Sequence, residues 1–359
     1  PAATVVLVAT GVVSLVALPV TRLTEAAWQL LASAMYAENL YLAHQSVDYL
    51  AADTPPSPVQ HFWSLAVEEQ FYLLWPLLFV AWACVVRRWG ATPRSLGVAL
   101  GALLVLSLVY SVVRTAQDPA AAYFLPTTRA WELAVGGLLA LALAHGRAPR
   151  WARAPLSWAG LVVIVVAALL FDDATAFPGW VALLPVLGAA AVIAGEGVST
   201  PLDRRSAQFV GDVSYALYLW HWPLIVFALV WSGGTTLGPM PAVAVLSASF
   251  LLAWLTKVWV EDPVRERGLV RTGRAALATA LAGVVLVAAV GGVALARVAR
   301  YSSEPFDPRV HVGPAALDSQ EGSPVADPYP SLLEAVEDIP VVYGDGCQAD
   351  REDTEPDPS

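Results

Sequence analysis

"HFWSLAVEEQFYLLWP", residues 61–76, decides the reading of this chain. Two adjacent glutamates, Glu68 and Glu69, stand near the start of a long apolar run, a few residues after His61. A charge entering an apolar helix carries a desolvation penalty, so its presence needs a reason. The preceding "SPVQ", Ser57 to Gln60, reads as a capping box with proline at the first helical position. That predicts a helix from near Pro58 to about Arg87. At ~1.5 Å per residue it exceeds the hydrocarbon thickness, so its first turns lie in the interface. On such a helix His61, Glu68, Tyr72 and Trp75 share one side, with Glu69 about 100° away. Carboxyls a turn or two inside a membrane face a protein cavity rather than lipid, and there they can serve as general base or acid. The same spacing also suits a structural carboxylate paired with Arg129 or another buried donor.

Outward from this stretch, the composition agrees. The chain has 359 residues, 57% of them hydrophobic and 14% charged, with a mean hydropathy of +0.60. Soluble domains carry about 25% charged residues, so the expectation is an all-α, polytopic helical membrane protein. The net charge of −10 belongs to one end: residues 301–359 hold 14 acidic and 2 basic residues, the rest 16 and 18. Such a balance gives no sign of nucleic-acid binding. Of the two cysteines, Cys84 reads as packing and Cys347 lies in the acidic tail. No metal-ligand spacing is present, and no metal is expected. The first residue is a proline inside an apolar segment, and the chain reads as truncated at both ends.

Apolar stretches fall at about 1–19, 65–87, 96–114, 129–145, 156–171, 179–195, 213–232, 241–260 and 276–297. Those near 129–145, 156–171 and 179–195 are at or below the length that a span needs, about 17–25 residues. Arg87, Arg88 and Arg94, then Arg147, Arg150 and Arg153, then Arg204 and Arg205, then Arg265, Arg267, Arg271 and Arg274 occupy alternate connections. The connections near 44–62, 118–128, 172–178 and 233–240 have neither lysine nor arginine. The positive-inside rule places the arginine-bearing set in the cytoplasm and the tail after 297 outside. Segment 24–45 carries Glu25, Glu38, Asn39 and His44, with Trp28, Leu31, Met35 and Leu42 at rough helical spacing. It reads as one interfacial or re-entrant helix, leaving about nine spans followed by an extracytoplasmic acidic linker. "PSLLEAVEDIPVVYGDGC" in that tail can form a helix and a strand.

Three further stretches carry chemistry. In "FLPTTRAWELAVGGLLAL", 124–141, Thr127 or Thr128 can cap a helix, and Arg129 and Glu132 stand at i,i+3. They form a local salt bridge, or Arg129 orients a carboxylate or phosphate. In "FVGDVSYALYLWHWPLIVFALVW", 209–231, Ser214, Tyr218 and His221 make one polar stripe, and Pro223 can free a carbonyl for a ligand or a kink. Glu261 and the arginines of "WVEDPVRER", 259–267, fix topology or line the approach of an anionic donor.

"HFWSLAVEEQFYLLWP", "LPTTRAWELAVGGLLAL", "GDVSYALYLWHWPL" and "VEDPVRER", in this order, resemble the acyltransferase-3 family of membrane acyltransferases over about residues 1–270. The 276–297 span, the acidic linker and "YGDGC" are similar to the junction of two-domain members, in which an extra last helix leads to an extracytoplasmic SGNH-type domain. The resemblance therefore implies a membrane domain over 1–270, an extra helix over 271–300, and over 301–359 a linker with the start of a truncated SGNH-like domain. The family's first two helices, a catalytic histidine and an Arg-x-x-Arg motif would lie upstream of Pro1. Two further helices bring nine spans to eleven, the family's ten plus one. It also implies a bacterial plasma-membrane enzyme that takes an acyl group, commonly acetyl, from cytoplasmic acyl-CoA. The acceptor would be a hydroxyl of a cell-surface glycan, glycolipid or peptidoglycan. No tightly bound cofactor is expected. His61, Glu68 and Glu69 are the catalytic candidates. Tyr72, Arg129, Glu132, Ser214, Tyr218 and His221 are the substrate-binding candidates. The rival is a proton-coupled transporter using the Glu/His stripe; a nine-span anchor for an extracellular domain is the third reading.

Overall fold

The computed structural model describes residues 1–45, 56–89, 93–172, 174–195, 201–265 and 272–302. Among them every regular element is a helix: α1 Ala2–Ala17, α2 Val20–Ala34, α3 Glu38–Gln45, α4 Phe62–Trp89, α5 Pro93–Gln117, α6 Pro119–Phe124, α7 Ala130–His145, α8 Arg150–Leu170, α9 Leu183–Ala194, α10 Arg205–Ser232, α11 Pro239–Thr256, α12 Asp262–Arg265 and α13 Gly273–Ser302. A π-helical turn, Lys257–Glu261, joins α11 to α12.

Each of the nine apolar stretches forms a helix, but only six helices among the described residues are long and apolar enough to cross a membrane: α4, α5, α8, α10, α11 with its continuation to Arg265, and α13. The other three expected spans, α1, α7 and α9, have 16, 16 and 12 residues. The expected count of nine thus exceeds the six that helix length supports among the described residues. The expected helix and strand of the tail lie outside the described residues. Cys84, expected to pack, is exposed on α4.

Segment 24–45 differs most from its reading. It is two helices, not one. At Tyr36 the backbone turns left-handed, φ 52°. The Ala37 N–H donates to Ala32 O at 2.8 Å and the Tyr36 N–H to Ser33 O at 3.1 Å. This is a Schellman stop with tyrosine where glycine is usual. The reversal lays α3 back along α2, so that the Tyr41 hydroxyl donates to Glu25 Oε2 at 3.0 Å. Arg22 Nη2 donates to Pro56 O at 2.9 Å, so the chain returns to the end of the bundle it left. The segment is therefore a helical hairpin.

At the centre, α1 packs against α2, α10 and α13. Ala2, Ala3, Val6 and Leu7 of α1 meet Leu30, Val59, Phe62, Leu65, Leu219 and Val287 in one buried cluster. Large apolar side chains instead face outward, among them Leu73, Leu77 and Val80 of α4 and Val285 of α13. In lipid such side chains lose nothing by exposure, and close contact falls to small residues. Gly160 and Gly188 illustrate this between α8 and α9: a Cβ on Gly160 would stand 2.5 Å from Gly188 O.

Candidate active site

The opening motif begins with a turn, not a helix. Pro58–His61 form a turn, and α4 starts at Phe62, four residues later than the capping box predicts. Ser57 Oγ accepts from the Val59 N–H at 3.3 Å. His61 thus sits outside the helix and off the face expected to join it to Glu68 and Tyr72. It is buried, whereas Glu68 and Tyr72 are exposed and Trp75 is half-buried.

The reason lies in α10, at Pro223. Proline has no N–H, so the carbonyl four residues earlier, Leu219 O, has no helical partner. His61 Nε2 lies 3.2 Å from that oxygen. A carbonyl only accepts, so the imidazole carries its proton on Nε2. Two neighbours on α10 complete the knot. The Tyr218 hydroxyl donates to His61 O and also meets Ser64 Oγ. Trp222 Nε1 donates to Ser57 O at 2.9 Å. The His61 ring lies 5.6 Å from His221 and 5.3 Å from Tyr218, centroid to centroid. Burial, and then the neighbouring His221, lower the His61 pKa to about 3, which leaves a neutral ring. His221 Nδ1 donates to Tyr218 O at 2.7 Å. Of the expected polar stripe, Tyr218 and His221 join the knot and Ser214 does not. Ser214 is exposed and bonds Gly211 O of its own helix at 2.7 Å.

Arg129 is the second centre. It lies just before α7, at the end of a 3₁₀ turn, Pro126–Thr128. Thr128 does not cap α7, as expected from sequence; its hydroxyl turns back toward Ala122 O, 2.7 Å, and Leu125 O, 2.6 Å. Ser107 of α5 secures the start of α7 instead, donating to Thr127 O at 2.7 Å and accepting the Trp131 N–H at 3.0 Å. The expected pair forms, with Arg129 Nε 3.3 Å from Glu132 Oε1. Around the guanidinium stand three rings: Trp63 at 5.0 Å, Tyr123 at 5.8 Å and Phe177 at 5.6 Å from Cζ to centroid. These distances are those of cation–π contact. Trp63, Tyr123 and Phe177 were not singled out from sequence. They come from α4, α6 and the α8–α9 connection, and only the fold unites them. Trp63 alone had a signal, its place in the opening motif.

Glu68 and Glu69 follow Ser64 on α4 by one turn. Glu68 is exposed and Glu69 half-buried. The Tyr218 side chain lies within electrostatic range of both Glu68 and Arg129. The arrangement offers an accessible carboxylate pair, a caged cation and a rigid hydroxyl-bearing wall. Chemically it suits removal of a proton from a hydroxyl beside a developing negative charge.

Residues 3–258 match the family of acyltransferase domains. The chain belongs to that family. A peptidoglycan O-acetyltransferase of Listeria monocytogenes is 30% identical over 258 residues, 67% of this chain and 40% of the relative. A putative peptidoglycan O-acetyltransferase of Bacillus subtilis is 27% identical over 256 residues, 66% of this chain and 39% of the relative. A putative O-acetyltransferase of Staphylococcus aureus is 25% identical over 290 residues, 75% of this chain and 46% of the relative. The chain therefore spans less than half the length of these relatives. No solved structure matches it.

Proposed function

We propose that this chain is the acyl-transfer body of a membrane O-acetyltransferase that modifies a hydroxyl of peptidoglycan or another cell-surface glycan. The observation that carries the reading is the carboxylate pair of Glu68 and Glu69, with Tyr218 in electrostatic range of both Glu68 and the caged Arg129, in an acyltransferase-family chain. The similarity to peptidoglycan O-acetyltransferases supports the acceptor class. The donor in this reading is cytoplasmic acetyl-CoA, with the arginine-bearing connections inside and the site toward the outer face. One carboxylate takes the proton of the attacking hydroxyl. The hydroxyl oxygen forms the ester bond to the acetyl carbon, and the acetyl group's bond to its carrier breaks with the electron pair leaving on the carrier. Arg129, held by Glu132 and three rings, stabilises the negative charge that develops. Tyr72 faces the same side as Glu68 and lines the approach. His61, Tyr218 and His221 fix the wall against which the acceptor is set. Ser214 lies apart from this group and takes no part. No observation favours the transporter, and it is not carried forward.

The test compares cells lacking the gene with cells complemented by it. Ester-linked acetyl on envelope glycans is read by mass spectrometry. The reading expects its loss on deletion and its return on complementation. An unchanged glycan in the deletion strain would contradict it.

A further inference from the structure

Asn39 belongs to neither the knot nor the cage, yet it is fully buried at the tip of the α2–α3 hairpin. Its amide faces that of Gln70, the residue immediately after Glu69. Gln70 Nε2 donates to Asn39 Oδ1 at 2.8 Å, and Asn39 Nδ2 donates back to Gln70 Oε1 at 3.3 Å. Gln70 Nε2 also reaches Tyr36 O at 2.9 Å, the carbonyl of the left-handed residue that reverses the hairpin. Asn39 Nδ2 also reaches Phe124 O at 3.2 Å. Phe124 ends α6, next to Tyr123 of the arginine cage. One pair of side chains thus ties the hairpin turn, the helix carrying the glutamates, and the element that supports Arg129.

The first turns of α4 are packed through Phe62, Leu65, Ala66, Val67 and Phe71, while polar ties across to other elements are few among the described residues. Its start is pinned to α10 through His61. Beyond Gln70 its side chains Tyr72, Leu73, Leu74, Leu77, Leu78, Phe79 and Val80 are exposed. Among the described residues the next side-chain hydrogen bond along α4 is Trp82 Nε1 to Ser95 Oγ, about three turns further. Apolar contacts in lipid allow a helix to rotate at little cost, whereas satisfied interhelical amides fix one rotation.

We propose that the Asn39–Gln70 amide pair is the positioning device of the site, setting the rotation of α4 and hence the direction of Glu68 and Glu69 relative to the Arg129 cage. This rests on the reading that the two glutamates perform the transfer. Asn39 and Gln70 are positioning residues, since they act through α4 and not on the acceptor.

Asn39→Leu and Gln70→Met keep the volume and remove the hydrogen bonds. The exchanged pair Asn39→Gln/Gln70→Asn restores reciprocal amides with the same total side-chain length. All are assayed in the whole protein in its native membrane, as acetyl groups placed on the acceptor per folded molecule, beside Glu68→Gln and Glu69→Gln. Each isosteric variant is expected to lose about tenfold to hundredfold in kcat, with KM for the acceptor within about twofold. The exchanged pair is expected to recover to within about threefold of the original rate. Wild-type turnover in both isosteric variants overturns the proposal. So does an exchanged pair that folds normally but stays as slow as the single variants. If the isosteric variants do not fold, the exchanged pair decides: recovered turnover supports the pairing and lost turnover overturns it. Wild-type turnover in both glutamine variants defeats the underlying reading instead. Slow glutamine variants beside fast amide variants defeat the positioning alone.

Discussion

His61 and Glu68 belong to one motif and live in different surroundings. His61 is 7% exposed, neutral, and bonded to a carbonyl that Pro223 leaves free on α10. Glu68 is exposed on α4, within electrostatic range of the hydroxyl-bearing wall. The histidine holds α4 in place and the carboxylates stay available. A motif can thus contain one buried, bonded side chain and one exposed carboxylate, and the pattern of residue types alone does not separate them.

The comparison can be broken most severely at the glutamates. Glu68→Gln or Glu69→Gln should lower acetyl transfer per folded molecule by about a hundredfold or more at normal membrane abundance, the usual size of a lost general base. Steady-state rates on isolated acceptor measure it. Both variants at wild-type rate would remove the carboxylates from the chemistry. Next in size is Arg129→Lys, which keeps the charge and loses the planar group that three rings and Glu132 hold. Transfer should fall about tenfold, because one to two kcal/mol of oriented interaction is lost. An unaltered rate would show that charge alone suffices.

His61→Asn sharpens the comparison from the other side. It removes the bond to Leu219 O and leaves that carbonyl buried without its donor. The expected cost is about 2 kcal/mol of stability. Thermal unfolding in detergent should register this far more than turnover per folded molecule does. A variant that folds normally and has lost all transfer would instead make His61 part of the chemistry.

The smallest effects are in pH. His61 has a folded pKa near 3, below its ordinary 6.5. Between these values the unfolded chain binds the proton and the folded chain does not. Its contribution is therefore fully present above pH 6.5 and is lost as pH falls toward 3. Glu38, in the hairpin, has the opposite sign. Burial and then the nearby Glu25 raise its pKa well above 4.5. Its contribution is fully present below about pH 4.5 and is lost as pH rises through the folded value. Melting temperatures of His61→Asn and Glu38→Gln across pH 4 to 8 should lose the acid slope and the alkaline slope respectively. Unchanged slopes would contradict these assignments.

The sequence made the apolar helices legible, because a run of Val, Leu and Ala needs no partner to be recognised. The Arg129–Glu132 pair was legible too, since three residues on a helix set its geometry. Pro223 was legible as a source of a free carbonyl, but not its taker: His61 lies 158 residues away, and its apparent place on a helix face hid the turn that frees it. Segment 24–45 showed helical spacing broken by polar residues. What it lacked was the usual glycine at its reversal, where Tyr36 stands and Gln70 holds the carbonyl. Asn39 itself was a lone polar residue until the fold supplied Gln70 and Phe124.

The central claim is that Glu68 and Glu69 perform transfer while His61 anchors them. The direct measurement is acetyl transfer per folded molecule by the double variant Glu68→Gln/Glu69→Gln beside His61→Asn, in the whole protein and one assay. The account predicts background transfer from the double variant and most of the original rate from His61→Asn. Wild-type transfer from the double variant would contradict it.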